Sequence, residues 1–144
     1  MNQIIQRVIS VVFYTLPLKS SVPFGYFLFY KFSFLKGLLY LIFPVAVIEK
    51  SLPFGALFLF LILYAGVVRN TKIPYFVRYN ACQALLLDIT LIIITYLLRI
   101  FPLVEFGPIV FIFTLSIFIF SAFQCVNGVE PEIPFISKSV RMQI

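Results

Sequence analysis

Two long apolar runs dominate the C-terminal half of the chain. One extends from Phe76 to Leu98, interrupted by charged or amide side chains only near its start and at Asp88; the other, Phe106 to Val126, is closed by Asn127-Gly128. A bilayer core about 30 Å thick takes roughly 20 helical residues. Hydrocarbon cannot satisfy the donors and acceptors of an open strand edge, so runs of this length predict membrane-spanning helices over 76–98 and 106–126.

The N-terminal half is less regular. Pro23, Lys31, Lys36, Pro44 and Pro53 interrupt an otherwise apolar stretch from Phe24 to Val68, and Glu49-Lys50 divides it. Its second part predicts a short span over 52–68, with Pro53 at a first-turn position where no N–H is needed. In its first part Phe34 to Ile48 reaches only about 22 Å at the helical rise, so the span must borrow turns and extend over 27–48, its lysines snorkelling. Ahead of it, Ile4, Ile5, Val8, Val11, Val12 and Leu16 recur at helical spacing opposite Asn2, Gln3, Arg7 and Ser10. That pattern predicts an amphipathic helix in the membrane interface over 3–17; the competing reading is a fraying N-terminus. The fold class is all-α, a polytopic membrane protein with four transmembrane helices preceded by an N-terminal amphipathic interfacial helix. It forms a single integral membrane domain over 1–144, with a C-terminal tail over 127–144.

Composition strengthens this reading. The chain is 62% hydrophobic and 11% charged, where a soluble domain carries about a quarter charged residues. A small soluble domain could not cover its surface with so few polar side chains. The net charge of +6 lies at segment ends and not in a run, which argues against nucleic acid and for orientation in the membrane. With four spans, Arg7, Lys19, Lys31, Lys36, Arg69, Lys72, Arg78, Lys138 and Arg141 fall on the side of both termini, and only Lys50 and Arg99 on the other. Such a bias places both termini in the compartment of synthesis. Cys82 and Cys125 sit in apolar runs, as small embedded side chains more readily than as a disulfide.

The chain contains no histidine, which excludes Ser-His and Cys-His nucleophile pairs, His-ligated metals and a histidine relay. Two separated cysteines are too few for a thiolate metal site, a single intramembrane acid cannot form an aspartyl dyad, and the glycines form no phosphate loop. The expectation is a protein without enzymatic machinery, metal or cofactor. Asp88 stands out, because an acid within a membrane helix must face protein or water. Ala81, Ala84, Asp88 and Thr95 share a small and polar stripe, either a helix-packing face or the lining of a path. As a packing residue, Asp88 would pair with a base such as Lys36 or Arg78, or hydrogen-bond across helices. The loop VVRNTKIPYFVRYN combines bases, asparagines and a proline, suiting a charged anchor with Asn70 or Asn80 as helix cap, or a docking loop.

Three stretches carry a family resemblance. VISVVFYTLPLKSSVPFGYFLF, YAGVVRNTKIPYFVRYNACQALLLDI and NGVEPEIPFIS resemble, in order and spacing, the opening, central and closing elements of the twenty-kilodalton membrane subunit of the chloroplast inner-envelope protein translocon, the TIC complex. Tyr79, Cys82 and Lys138 depart from the residues more usual there. Nuclear-encoded members begin with a transit peptide, so a chain opening as this one does resembles the plastid-encoded or cyanobacterial type. The resemblance implies a component of the protein import translocon, contributing to the conducting path for precursor polypeptides; the alternative is a small structural or assembly subunit with no conducting role. It further implies other translocon subunits and membrane lipid as partners, with no nucleic acid. The implied site is the plastid inner envelope with both termini stromal, or the inner membrane of a cyanobacterium. Arg69, Asn70, Arg78, Asn80, Gln83, Asp88, Gly128, Pro131 and Pro134 are the matched motif positions.

Overall fold

A computed structural model describes residues 2–52, 55–101 and 106–144. The expected first-turn position of Pro53 lies outside the described residues, among which every regular element is helical. Helix α1 (Gln3–Phe13) opens on Asn2, whose side-chain oxygen accepts the Ile4 N–H at 2.9 Å, an N-cap bond that satisfies one orphan donor of the first turn. The register breaks at Tyr14 because Pro17 has no N–H for the Phe13 carbonyl four residues back. Helix α2 (Thr15–Ser21) and a 3-10 turn over Val22–Gly25 then continue the run, so that 23 residues from Gln3 to Gly25 form a stretch long and apolar enough to cross a membrane. The helix expected over 3–17 is thus the first part of a longer one, since Pro17 and Pro23 both fall in first turns that tolerate them.

This run lies antiparallel along α7 (Gly107–Val126). At one end the Arg7 guanidinium donates to the Val126 carbonyl at 3.2 Å. At the other, Gly107 backs onto Phe24, and a Cβ on Gly25 would stand 2.6 Å from Cγ of Phe111. The root of a buried ring cannot swing aside, so Gly25→Ala is expected to lose 1–3 kcal/mol, the usual range for overpacking. Combining it with Phe111→Leu should cost less than the two changes added, a coupling that thermal unfolding of the four chains in detergent will measure.

The stretch expected as one span over 27–48 is divided. Helix α3 (Tyr26–Lys31) ends at Phe32, whose backbone is extended, and a 3-10 turn over Ser33–Gly37 precedes α4 (Leu38–Ser51). Lys31 supplies charge where the span would have needed its borrowed turns, and Lys36 and Gly37 add charge and backbone freedom just after them. Leu52 is extended, as a residue preceding proline prefers. Helix α5 (Gly55–Leu63) runs into a π turn over Tyr64–Val68, and Leu57–Val68 is apolar but shorter than a usual span. Among the described residues, helices α6 (Tyr75–Ile100) and α7 are the two other runs long enough to cross, close to the expected 76–98 and 106–126. The tail ends in α8 (Ile136–Gln143), whose Val140 packs with Val68 and Tyr79. The start of α1, the loop before α6 and α8 therefore gather at one end of the bundle.

Candidate functional site

Helix α6 carries two buried polar clusters. The first begins one turn inside its start. Tyr14, buried at the break between α1 and α2, donates its hydroxyl proton to Oδ1 of Asn80 at 2.7 Å, and Asn80 donates to its own helix at the Phe76 carbonyl. Gln83 donates to the Tyr14 hydroxyl at 2.9 Å and to the Pro131 carbonyl at 3.1 Å, and its Oε1 accepts from Ser137 at 2.5 Å. The Tyr79 hydroxyl donates to the same Pro131 carbonyl at 2.7 Å, and Ser137 accepts the Ile133 N–H. The cluster therefore clamps the tail onto α6 and the first run, which satisfies polar groups that apolar surroundings would otherwise leave unpaired. Outside it, Arg141 pairs with Glu130 at 3.1 Å and lies 4.9 Å from the Tyr79 ring centre.

The second cluster is charged. Ser20 donates to Asp88, and Lys19 forms an ion pair with Glu49, joining α2 to α6 and to α4. Asp88 is thus hydrogen-bonded across helices; Arg78 turns instead to the Val68 carbonyl at 2.9 Å, where the π turn leaves that oxygen free, and Lys36 sits on an exposed turn. Ala81, Ala84 and Asp88 are buried against neighbouring elements, whereas Thr95 is half-buried. Thr95 lines a cleft of 370 Å³ together with Ser20, Leu98, Arg99 and Gly107. The stripe accordingly splits, its first three members packing and its last facing an open space that ends beside the Ser20–Asp88 bond.

Residues 3–140 match the family model described as chloroplast import apparatus, Tic20-like. The chain belongs to the Tic20-like family. Among its relatives, the Arabidopsis thaliana protein TIC 20-II, chloroplastic, is 34% identical over 96% of this chain and 72% of its own length. A Tic20 family protein of Synechocystis is 32% identical over 96% of this chain and 92% of its own, and the Tic20 family protein Ycf60 of Gracilaria tenuistipitata is 30% identical over 98% and 76%. The resemblance drawn from the three sequence stretches is therefore to the family the chain belongs to.

Several Tic20-like motif positions have structural partners. Asn70 closes the loop by accepting the Lys72 N–H at 3.0 Å, and Arg69 lies 5.9 Å from the Tyr64 ring centre. Asn80 caps no helix, because Pro74 already starts α6 and places Asn80 inside it. Gly128 takes φ +75°, where its N–H and that of Val129 close the end of α7 onto Cys125 and Gln124, the Schellman arrangement that favours glycine. Pro131 supplies the shared carbonyl, and Pro134 borders a second cleft. Tyr14, Ser20 and Ser137 were not singled out by the sequence, and Lys19, Glu49 and Tyr79 only as a flanking base, a segment divider and a departure from the family pattern. The available signal was a tyrosine in an apolar run, which needs a partner for its hydroxyl when buried.

Proposed function

We propose that this chain is a subunit of the machinery that imports precursor proteins across the chloroplast inner envelope or its cyanobacterial counterpart, both termini stromal, with the Thr95 cleft contributing to the conducting path. Family membership supports the role in chloroplast protein import. The observation that carries the finer reading is the cleft itself: Ser20, Thr95 and Arg99 give it a polar wall within otherwise apolar helices, and its Ser20 donates to the buried Asp88. At 370 Å³ it cannot hold a folded polypeptide segment, so a path of useful width needs further copies or other translocon subunits. The broad exposed apolar face of Ile93, Leu97, Ile112 and Phe113 suits lipid or such subunits.

A second reading, a scaffold or assembly subunit with no conducting role, draws on the burial of Ala81, Ala84 and Asp88 within the chain itself. A photo-crosslinking residue at Thr95 separates the two, with the exposed Ile93 as control, while a precursor is arrested in transit in native membranes. Adducts to the precursor from position 95 and not from 93 are expected. Adducts to membrane subunits alone, with arrest verified, would assign the scaffold role.

A further inference from the structure

The chain breaks between α4 and α5 inside the membrane. Helix α4 ends at Ser51, Leu52 is extended and α5 begins at Gly55, with residues 53 and 54 outside the described part. Two observations set the depth of this break. Ser20 donates to Asp88, which lies about 20 Å from the start of α6 and about 18 Å from its end at the helical rise. The adjacent Lys19 forms an ion pair with Glu49, near the end of α4, and so holds that end close to mid-depth. At the other end of α5, the π turn closes where the Val68 carbonyl accepts from Arg78, near the start of α6. From there back to Gly55 the helix rises about 20 Å at most, against about 30 Å of hydrocarbon. The break therefore lies within the bilayer core.

Hydrocarbon cannot solvate what the break carries. The Ser51 hydroxyl donates to the Ile48 carbonyl at 2.8 Å and the Leu52 N–H to the Glu49 carbonyl at 3.3 Å, so the end of α4 meets part of its own need. The ammonium of Lys50 has no such remedy: the residue is exposed, and a four-carbon stem falls short of the roughly 15 Å from mid-depth to a headgroup. Charge and irregular backbone persist at this depth only inside protein or against water. Lys50 and Ser51 are both exposed, so this chain does not cover them. The Lys19 side chain nearby is 31% exposed, while that of Glu49 is 8% exposed. Helix α5 fills the half of the membrane between the break and the end that bears both termini. We infer that an aqueous recess enters the membrane from the side opposite the termini and reaches Lys50, Ser51 and Lys19, with the Lys19–Glu49 pair as its floor. Ser20, the next residue along α2, lines the Thr95 cleft, so one turn of helix separates the recess from that cleft. The recess is hydrated whether or not the Thr95 cleft conducts.

Ser51→Cys and Ser116→Cys form a matched pair. Ser116 lies near the middle of α7, is exposed as Ser51 is, and likewise donates to a carbonyl of its own helix, that of Ile112 at 2.9 Å. Cys82 and Cys125 are buried and add little background. With the full chain in liposomes, a charged, membrane-impermeant methanethiosulfonate is added on the side opposite the termini. It is expected to modify position 51 about a hundredfold faster than position 116, because the thiolate is the reacting form and apolar surroundings suppress it. A nitroxide at the same two sites gives an independent reading: relaxation by a water-soluble nickel chelate should dominate at 51, and relaxation by oxygen, which partitions into hydrocarbon, at 116. Lys50→Cys repeats both readings one residue away and serves alone if Ser51→Cys does not fold. Equal, slow modification at the two positions together with oxygen-dominated relaxation at 51 overturns the inference, as does modification of position 51 from the side of the termini alone.

Discussion

Lys19→Met is expected to destabilise the bundle by about 3 kcal/mol, the lower end of the range for removing one partner of a buried ion pair. The Glu49 side chain is only 8% exposed, and Lys19 is its ion-pair partner. Lys19 is 31% exposed, so water screens part of the interaction, which places the expectation at the low end. Without it Glu49 faces an apolar helix pair, and Asp88 loses the positive charge within its electrostatic reach. Methionine keeps most of the lysine's volume, so a packing defect is not the cause of the loss. Lys19→Met combined with Glu49→Leu should recover most of the stability, because replacing both charges removes their desolvation cost together. Thermal unfolding in detergent, followed by circular dichroism, tests both variants. A double variant no more stable than the single one would mean that Glu49 already reaches water or a headgroup.

The same pair shows where sequence patterning stops. Lys19 counts as a flanking base when charges are assigned to sides of a membrane, yet its partner lies 30 residues on and belongs to another helix; nothing local announces it. Ser20 likewise meets Asp88 across 68 residues. The two C-terminal helices were legible because their apolar runs are long and sparsely interrupted, and the element boundaries of the N-terminal half were not. The apolar spacing ends the expected helix at 17, whereas the chain stays helical to Gly25, where Phe24 and Gly25 pack against Gly107 and Phe111 of α7. The break at Phe32 did have a signal, since Lys31 occupies the turns the expected span had to borrow and Lys36 and Gly37 follow within its next turn. For the polar face of α6, Asp88 was visible as an acid out of place, Asn80 as a motif position or helix cap, and Gln83 only as a motif position. Their shared task depends on Tyr14, Pro131 and Ser137, which come from opposite ends of the sequence.

That dependence makes Gln83→Leu the sharpest test of the tail clamp. Leucine approximates glutamine in size, so the variant mainly removes the bonds to Tyr14, Pro131 and Ser137. Interhelical hydrogen bonds in membrane proteins average about 0.6 kcal/mol, and three of them predict a loss of about 2 kcal/mol. The loss should be local before it is global, because α6 and α7 keep their apolar contacts while the tail retains chiefly the Tyr79 bond to Pro131 and the exposed pairs of Arg141. Limited proteolysis is therefore expected to cut between Val129 and Phe135 in the variant under conditions that leave the parent chain whole. Tyr79→Phe in the same background removes the remaining buried bond and should increase the cutting further. If the tail of Gln83→Leu stays protected, Arg141 and the packing of Val140 are what hold it, and Gln83 contributes to the bundle without governing the tail. If the tail is released, the polar cluster at the start of α6 is the latch that holds the tail against the bundle.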